Sequence, residues 1–212
     1  MEKIIYISQG KSPEEHISGI QKVLDAGVKW VQLRLKSIDI EEVEEIAAIC
    51  KDMTLKYNAQ LFLNDYVQVA KKLNINGLHV GKEDLPINKA RKIVGEKCII
   101  GGTANTFEDI FLHAKNGANY IGLGPYQFTS TKEKLSPVLG INGYETILAQ
   151  CKENLINLPI FAIGGIQLED IVSIFKTGID GVALSGLLFN APNAEKIVKE
   201  FNKIGEKYVT NS

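Results

Sequence analysis

The feature that most constrains the fold is a regular alternation of short apolar runs and amphipathic segments along the whole chain. Apolar runs bounded by Gly, Asn or Asp predict strands, and apolar residues spaced three or four apart predict helices. Eight strands are predicted, at 3–8, 30–35, 60–64, 77–80, 98–101, 120–124, 160–163 and 181–184. Because each strand but the last leads to a predicted helix, the strands should pair in parallel through right-handed crossovers.

The length of the chain favours closing these strands into a barrel. Eight strand–helix units in 212 residues leave about 26 residues for each unit, which suits a (β/α)8 barrel. We therefore predict one domain over 1–212, an α/β protein with the (β/α)8 TIM barrel fold. Ligands of this fold bind at the carboxyl ends of the strands, so the residues that follow each strand are the candidates for function.

Composition and charge narrow the range of partners. The 24 Lys and Arg residues balance 25 Asp and Glu residues, which argues against a nucleic-acid partner. No apolar stretch reaches the roughly 20 residues of a membrane span, and the N-terminus lacks the pattern of a signal peptide. The three cysteines are widely spaced and are expected to be buried thiols in a reducing compartment. We expect a cytoplasmic protein without a membrane partner, and homo-oligomer formation stays open.

The second predicted strand carries polar residues at every other position. Gln32, Arg34 and Lys36 should share one face and point into the barrel, since side chains of a strand alternate with a period of two. Cations inside a barrel are costly unless an anion pairs with them, which favours a phosphate ligand. The alternative is a half-solvated strand of an antiparallel sheet, because buried parallel strands are normally apolar throughout.

Two aspartates follow the third and fourth strands. Asp65 and Asp84 should meet at neighbouring strand ends, where two carboxylates, waters and phosphate oxygens suit an octahedral Mg²⁺. Taken singly, each aspartate could instead cap a helix. Glu83 competes with Asp84 as the metal ligand, and His79 is interpreted as a packed strand residue rather than a base.

Two further segments indicate phosphate binding. The segment 122–132 after the sixth strand ends in Thr129, Thr131 and Lys132, and hydroxyl and ammonium donors on a loop can enclose a phosphorylated ligand. Such a polar loop is also commonplace in proteins without this role. Gly164-Gly165 and Ser185-Gly186 follow strands seven and eight, where many barrels bind phosphate with bare backbone N–H groups.

Several of these motifs, taken in order, resemble those of the thiamine phosphate synthase family over roughly residues 3–188. They are Gln32-Leu33-Arg34-x-Lys36, Asn64-Asp65, Gly77-x-His79-x-Gly81-x-x-Asp84, Gly124-Pro125 with Thr129-x-Thr131-Lys132, and Ala162-Ile163-Gly164-Gly165-Ile166. The resemblance implies a barrel transferase that joins two phosphorylated heterocycles. Its substrates would be hydroxymethylpyrimidine diphosphate and hydroxyethylthiazole phosphate, and its products thiamine phosphate and pyrophosphate.

The resemblance also implies a role for each matched residue. The pyrimidine diphosphate would be bound by Gln32, Arg34, Lys36, Asn64, Thr103 and Lys132. Asp65 and Asp84 would hold Mg²⁺, and the thiazole phosphate would be bound by Thr129, Thr131, Gly165, Ser185 and Gly186. Among these, Lys132, Arg34 and Lys36 would act in catalysis by neutralising the departing pyrophosphate.

The chain departs from the family pattern at three places. Lys82 stands where the family usually has Gln, and Thr103 stands where a Ser usually follows strand five. The turn at 184–186 is about one residue short, so which of its N–H groups bind phosphate is left open. Two other functions stay open beside synthesis: a related thiazole tautomerase, and a non-catalytic regulator that binds ligands of the thiamine pathway.

Overall fold

The computed structural model describes residues 2–36, 38–129 and 136–209. Eight parallel strands form a closed barrel in chain order, with the first strand paired to the last. The strands are β1 (Ile4–Ile7), β2 (Trp30–Leu33), β3 (Gln60–Asn64), β4 (Gly77–Val80), β5 (Ile99–Ala104), β6 (Tyr120–Leu123), β7 (Ile160–Ile163) and β8 (Gly181–Leu184). The prediction of a (β/α)8 barrel is confirmed.

Helices follow the strands and cover the outside of the barrel. They are α1 (Pro13–Asp25), α2 (Ile40–Lys56), α3 (Val67–Lys72), α4 (Ile87–Val94), α5 (Phe107–Lys115), α6 (Gly140–Glu153), α7 (Ile171–Lys176), α8 (Gly186–Phe189) and α9 (Ala194–Val209), with a 3-10 turn at Leu168–Asp170. The side chain of Ser12 caps α1, and a capping box of Thr106 and Asp109 begins α5. None of the helices in the described ranges is long and apolar enough to cross a membrane.

The fifth strand is longer than predicted. The strand was predicted to end at residue 101, yet β5 continues through Gly102 to Ala104 and places Thr103 inside the strand. Both glycines are needed for space: a Cβ on Gly101 would lie 2.1 Å from the ring of Tyr120, and one on Gly102 would lie 2.9 Å from the ring of His113. Close packing, rather than a turn, explains these two glycines.

Large side chains fill the barrel interior near the amino ends of the strands. Trp30, Phe62, Tyr120 and Phe161 come from β2, β3, β6 and β7 and pack together, with ring centroids 4.8 to 5.9 Å apart. Aliphatic residues of β1, β5, β7 and β8 complete this cluster. Because this layer fills the barrel near the amino ends of the strands, the cavity opens at their carboxyl ends, where barrels of this kind bind ligands.

Candidate active site

The described residues line a cavity of about 2060 Å³ at the carboxyl ends of the strands. Sites for a single small molecule usually measure about 300–1,000 Å³, so this mouth has room for two ligands. It contains most of the site residues predicted from the sequence, namely Gln32, Arg34, Lys36, Asn64, Asp65, Asp84, Thr103, Thr129, Gly165, Ser185 and Gly186. The remaining two, Thr131 and Lys132, lie outside the described residues.

Two carboxylates lie side by side after β3 and β4. Asp65 adopts a left-handed backbone conformation with φ 69°, and its Oδ2 accepts a hydrogen bond from Lys36 Nζ at 2.5 Å. Asp84 Oδ2 accepts a hydrogen bond from the N–H of Gly81 at 2.7 Å. The other oxygen of Asp65, Oδ1, is buried, and among the described residues it has no hydrogen-bond donor while Asp84 is ionised. A buried carboxylate oxygen without a donor is costly, so this position favours a bound cation.

The proximity of the two carboxylates shifts their pKa values in opposite directions. Desolvation, the hydrogen bond with Asp65 and the charge of Asp65 raise the pKa of Asp84 to about 6. Desolvation would also raise the pKa of Asp65, but hydrogen bonds with Asp84 and Lys36 outweigh it and lower that pKa. The pair can therefore share one proton when free of metal, and a divalent cation could take its place.

The protein side of this site supplies few ligands. In the parts of the chain that the structure describes, no group of three or more His, Cys, Asp or Glu residues could enclose a metal ion. A cation held by Asp65 and Asp84 would need waters or ligand oxygens to complete its coordination. Mg²⁺ binds in this way, through one or two carboxylates together with substrate phosphates. The residues present therefore fit Mg²⁺ better than a metal that requires a complete protein cage.

A hydrogen-bonded network spans the floor of the cavity. His79 is buried, with Nδ1 3.0 Å from the hydroxyl of Tyr120 and Nε2 2.9 Å from Oγ1 of Thr103. The hydroxyl of Tyr120 also bonds to the side chain of Gln32. Burial raises the pKa of Tyr120, so its hydroxyl remains a protonated donor. The network joins Gln32 of β2 to Thr103 of β5 through the barrel interior.

The ends of β7 and β8 form a second region, with backbone exposed to the cavity. Gly164 and Gly165 have φ values of 96° and 71°, and a Cβ on Gly165 would lie 2.7 Å from the carbonyl oxygen of Phe128. Only glycine suits these conformations without strain. On the adjacent strand, Ser185 precedes α8, and Gly186 is its first residue. The two turns therefore offer backbone donors and little side-chain bulk, the arrangement with which barrels of this kind hold phosphate.

Several polar residues that line the cavity after β1, β5 and β6 were not predicted from the sequence. Ser8, Gln9 and His16 line the cavity, as do Asn105 and Ser136. Asn105 donates to the carbonyl of Gly124 and accepts a hydrogen bond from Ser136 at 2.9 Å. With the observed bounds of β1 and β5, the rule that singled out residues after the other strands also selects Ser8 and Asn105. His16 could not be found in that way, because it lies within α1 and reaches the cavity only through the packing of that helix.

Comparison with known proteins identifies the family. The family described as thiamine monophosphate synthase matches residues 4–188. A thiamine-phosphate synthase from Flavobacterium psychrophilum is 49% identical, over 95% of this chain and 98% of its own length. One from Bacteroides thetaiotaomicron is 53% identical, over 81% of this chain and 83% of its own length.

A solved structure supports the same conclusion. Thiamine phosphate pyrophosphorylase from Pyrococcus furiosus has a TM-score of 0.84 and 28% identity, and the match covers 98% of this chain and 96% of that one. The resemblance inferred from the motifs is thus confirmed over nearly the whole chain. The chain belongs to the thiamine monophosphate synthase family of transferases.

Proposed function

We propose that the chain joins 4-amino-2-methyl-5-hydroxymethylpyrimidine diphosphate to 4-methyl-5-hydroxyethylthiazole phosphate, giving thiamine phosphate and pyrophosphate. One observation carries the proposal: a single cavity has two different regions whose residues are suited to bind anions. The carboxylate pair and Lys36 lie by β2, β3 and β4, and the bare backbone turns follow β7 and β8. Strands β3 and β7 lie on opposite sides of an eight-stranded barrel, so two anionic ligands can face each other across it.

The diphosphate of the pyrimidine substrate fits the first region. Arg34 and Lys36 follow β2 and provide positive charge, and Asn64, at the end of β3, provides an amide. Gln32 and Thr103 lie deeper, at either end of the network through Tyr120 and His79, where they would contact the heterocycle or its first phosphate. Lys132, which lies outside the described residues, would add a third cation.

Mg²⁺ would be held by Asp65 and Asp84. The support for this assignment is the buried Oδ1 of Asp65, which has no donor among the described residues while Asp84 is ionised, beside a second carboxylate whose pKa is raised. When bound, the ion would act as a Lewis acid on the diphosphate oxygens and reduce the charge that the protein must neutralise. Lys36, which bonds Asp65, would keep this carboxylate ionised and oriented.

The thiazole phosphate fits the second region. The N–H groups at Gly165 and at the Ser185-Gly186 turn would donate to its oxygens. Thr129 lies at the edge of the cavity and, with Thr131, would supply hydroxyl donors from the loop after β6. With each phosphate held on its own side, the thiazole nitrogen would point towards the methylene carbon of the pyrimidine.

The proposed reaction needs stabilisation of a leaving group rather than a nucleophile on the protein. The bond between the methylene carbon and the diphosphate oxygen breaks first: the electron pair goes to the departing pyrophosphate, and a cation stabilised by the 4-amino group of the pyrimidine remains. The thiazole nitrogen then attacks that carbon with its lone pair and forms the new carbon–nitrogen bond. Arg34, Lys36 and Lys132 would stabilise the negative charge that grows on the leaving oxygen.

The described side chains are consistent with a reaction that avoids covalent catalysis. The three cysteines are buried, and desolvation raises the pKa of Cys50 to about 12 and that of Cys98 to about 11. Ser8 and His16 are hydrogen bonded like a nucleophile and its base, but Ser8 is only 1% exposed and its oxygen already accepts the N–H of Arg34. None of these residues is placed to attack a substrate.

Turnover with both substrates tests the proposal. The chain is incubated with the two phosphorylated heterocycles and Mg²⁺, and thiamine phosphate is detected as thiochrome fluorescence after oxidation. We expect multiple turnovers, one pyrophosphate for each thiamine phosphate, and loss of product when either substrate is left out or EDTA is added. Conversion of the thiazole alone would favour the tautomerase. Binding of both ligands without product would favour the regulator.

A further inference from the structure

The loop after β1, residues 8–12, lies between the two anion-binding regions. Strand β1 pairs with β2 on one side and with β8 on the other, so it joins the strand that leads to Arg34 to the strand that leads to Ser185. The loop lines the cavity, but none of the roles assigned above uses it. Its hydrogen bonds run towards both regions.

The first connection runs from α1 through Ser8 to Arg34. Oγ of Ser8 lies 2.8 Å from Nδ1 of His16 and accepts the backbone N–H of Arg34 at 3.0 Å. Both Ser8 and His16 are buried, at 1% and 7% exposure. Arg34 follows the last residue of β2, so the bond to Ser8 holds its backbone where the ladder of the strand has ended.

The tautomer of His16 sets the direction of its bond to Ser8. With the ring proton on Nε2, Nδ1 is an acceptor, and the hydroxyl of Ser8 can donate to it while accepting the N–H of Arg34. Desolvation lowers the pKa of His16, with the charge of Arg34 acting in the same direction, so the neutral ring persists at neutral pH.

The second connection runs through Gln9 to Ser185. Oε1 of Gln9 accepts a hydrogen bond from the hydroxyl of Ser185 at 2.9 Å. The loop between these connections is tightly packed: a Cβ on Gly10 would lie 2.6 Å from Cβ of Glu15. The carboxylate of Glu15 also accepts the backbone N–H of Lys11 at 2.5 Å. The loop is thus fixed to the start of α1 while its polar groups reach the two regions.

We propose that the β1–α1 loop positions one binding group in each anion-binding region: Ser8 and His16 orient Arg34 for the pyrimidine diphosphate, and Gln9 orients the Ser185 turn for the thiazole phosphate. These are positioning residues, since they act through their neighbours. The inference rests on the proposed function, because it assigns one substrate to each region.

Steady-state kinetics with each substrate varied in turn tests the inference. A hydrogen bond of this type is worth about 0.5–1.5 kcal/mol, or roughly a 2- to 13-fold change in affinity. We expect His16→Leu to raise KM for the pyrimidine diphosphate by such a factor and to leave KM for the thiazole phosphate within about twofold. Gln9→Ala should show the reverse pattern. Equal changes in both KM values for either variant would indicate general loosening of the fold and overturn the inference.

Two further variants separate positioning from packing. His16→Asn keeps an acceptor close to the hydroxyl of Ser8 and should recover much of the lost affinity for the diphosphate, whereas His16→Leu does not. Ser8→Ala is a smaller change that tests the same connection even where His16→Leu fails to fold. Combining Ser8→Ala with His16→Leu should add little to either single effect, because both break one connection. Full additivity would contradict the inference.

Arg34→Ala distinguishes failure of the inference from failure of the proposed function. If Arg34→Ala leaves KM for the diphosphate unchanged, the assignment of the first region is wrong, and the inference falls with it. If Arg34→Ala raises this KM while Ser8→Ala and His16→Leu do not, the site is correct and the positioning role is wrong. A rise in all three variants, with KM for the thiazole unchanged, supports both.

Discussion

The polar network on the floor of the proposed pyrimidine site is held together by one oxygen atom, the hydroxyl oxygen of Tyr120. This oxygen bonds both His79 and Gln32, and His79 in turn bonds Thr103. Tyr120→Phe removes this atom and leaves the ring in place among Trp30, Phe62 and Phe161. The variant therefore tests the polar network without disturbing the aromatic packing below it.

The expected cost follows from the partners that Tyr120→Phe leaves behind. His79 and Gln32 are buried, and a buried polar group that loses its partner costs about 1–3 kcal/mol. For a protein of this size, each kcal/mol lowers Tm by about 2–4 °C. We also expect KM for the pyrimidine diphosphate to rise by roughly 2- to 13-fold, because Gln32 and Thr103 lose the link that holds them at fixed positions.

Tyr144→Phe is the matched control for this experiment. Tyr144 is equally buried, and its hydroxyl donates to the carbonyl of Leu123 at 3.0 Å, but it lies on α6 outside the cavity. Calorimetry should show a loss of stability of similar size for both variants, and kinetics should show a change in KM for Tyr120→Phe alone. An unchanged Tm for Tyr120→Phe, or an equal effect of both variants on KM, would refute the reasoning.

Four further predictions address the metal, the mechanism, the stability of the fold and its pH dependence. Asp65→Asn and Asp84→Asn should each lower activity and raise the Mg²⁺ concentration for half-maximal rate; unchanged Mg²⁺ dependence in both would remove them from the metal site. A trifluoromethyl group in place of the methyl group of the pyrimidine diphosphate should slow single turnovers steeply, and a rate near that of the natural substrate would exclude the cation mechanism. Arg91→Ala should lower the free energy of unfolding by about 1.5–3 kcal/mol and leave KM unchanged. The reason is that Arg91 bonds four backbone carbonyls and one side-chain amide at the amino ends of β5 and β6, far from the cavity. A raised KM would contradict this expectation. The pKa of His16 is lowered in the folded state from its ordinary value of 6.5, so its contribution to stability is present above pH 6.5 and is lost as pH falls towards the folded pKa. Tm of the unchanged protein should therefore fall more on acidification than Tm of His16→Leu. Equal slopes of Tm against pH would contradict the linkage.

The sequence predicted the barrel well because its periodic pattern is regular. Strands β3, β4, β7 and β8 have the predicted bounds, since Asn, Gly or Asp residues flank their apolar runs. The second strand was predicted to reach residue 35, but the ladder ends at Leu33, and Arg34 bonds Ser8 instead of continuing it. The error in β5 arose because glycine, usually found in turns, is needed there for close packing against Tyr120.

The candidate site was predictable where one strand end carries a distinctive side chain. Asp65 and Asp84 were placed together because parallel strands bring their carboxyl ends to one edge, and they do lie side by side. The connections through Tyr120 and His16 were beyond the sequence, because they depend on which side chains meet across the barrel and beneath α1. The roles of the site residues themselves stay predictions until ligands are observed.

The most direct test of the account is a crystal structure of the protein with thiamine phosphate, pyrophosphate and Mn²⁺. Mn²⁺ favours the same oxygen ligands as Mg²⁺, and its anomalous scattering locates it without ambiguity. We predict an anomalous peak between Asp65 and Asp84 in contact with pyrophosphate, and the phosphate of thiamine phosphate at the turns of Gly165 and Ser185. Pyrophosphate at the turns after β7 and β8, or a metal away from both aspartates, would contradict the assignment of the two regions.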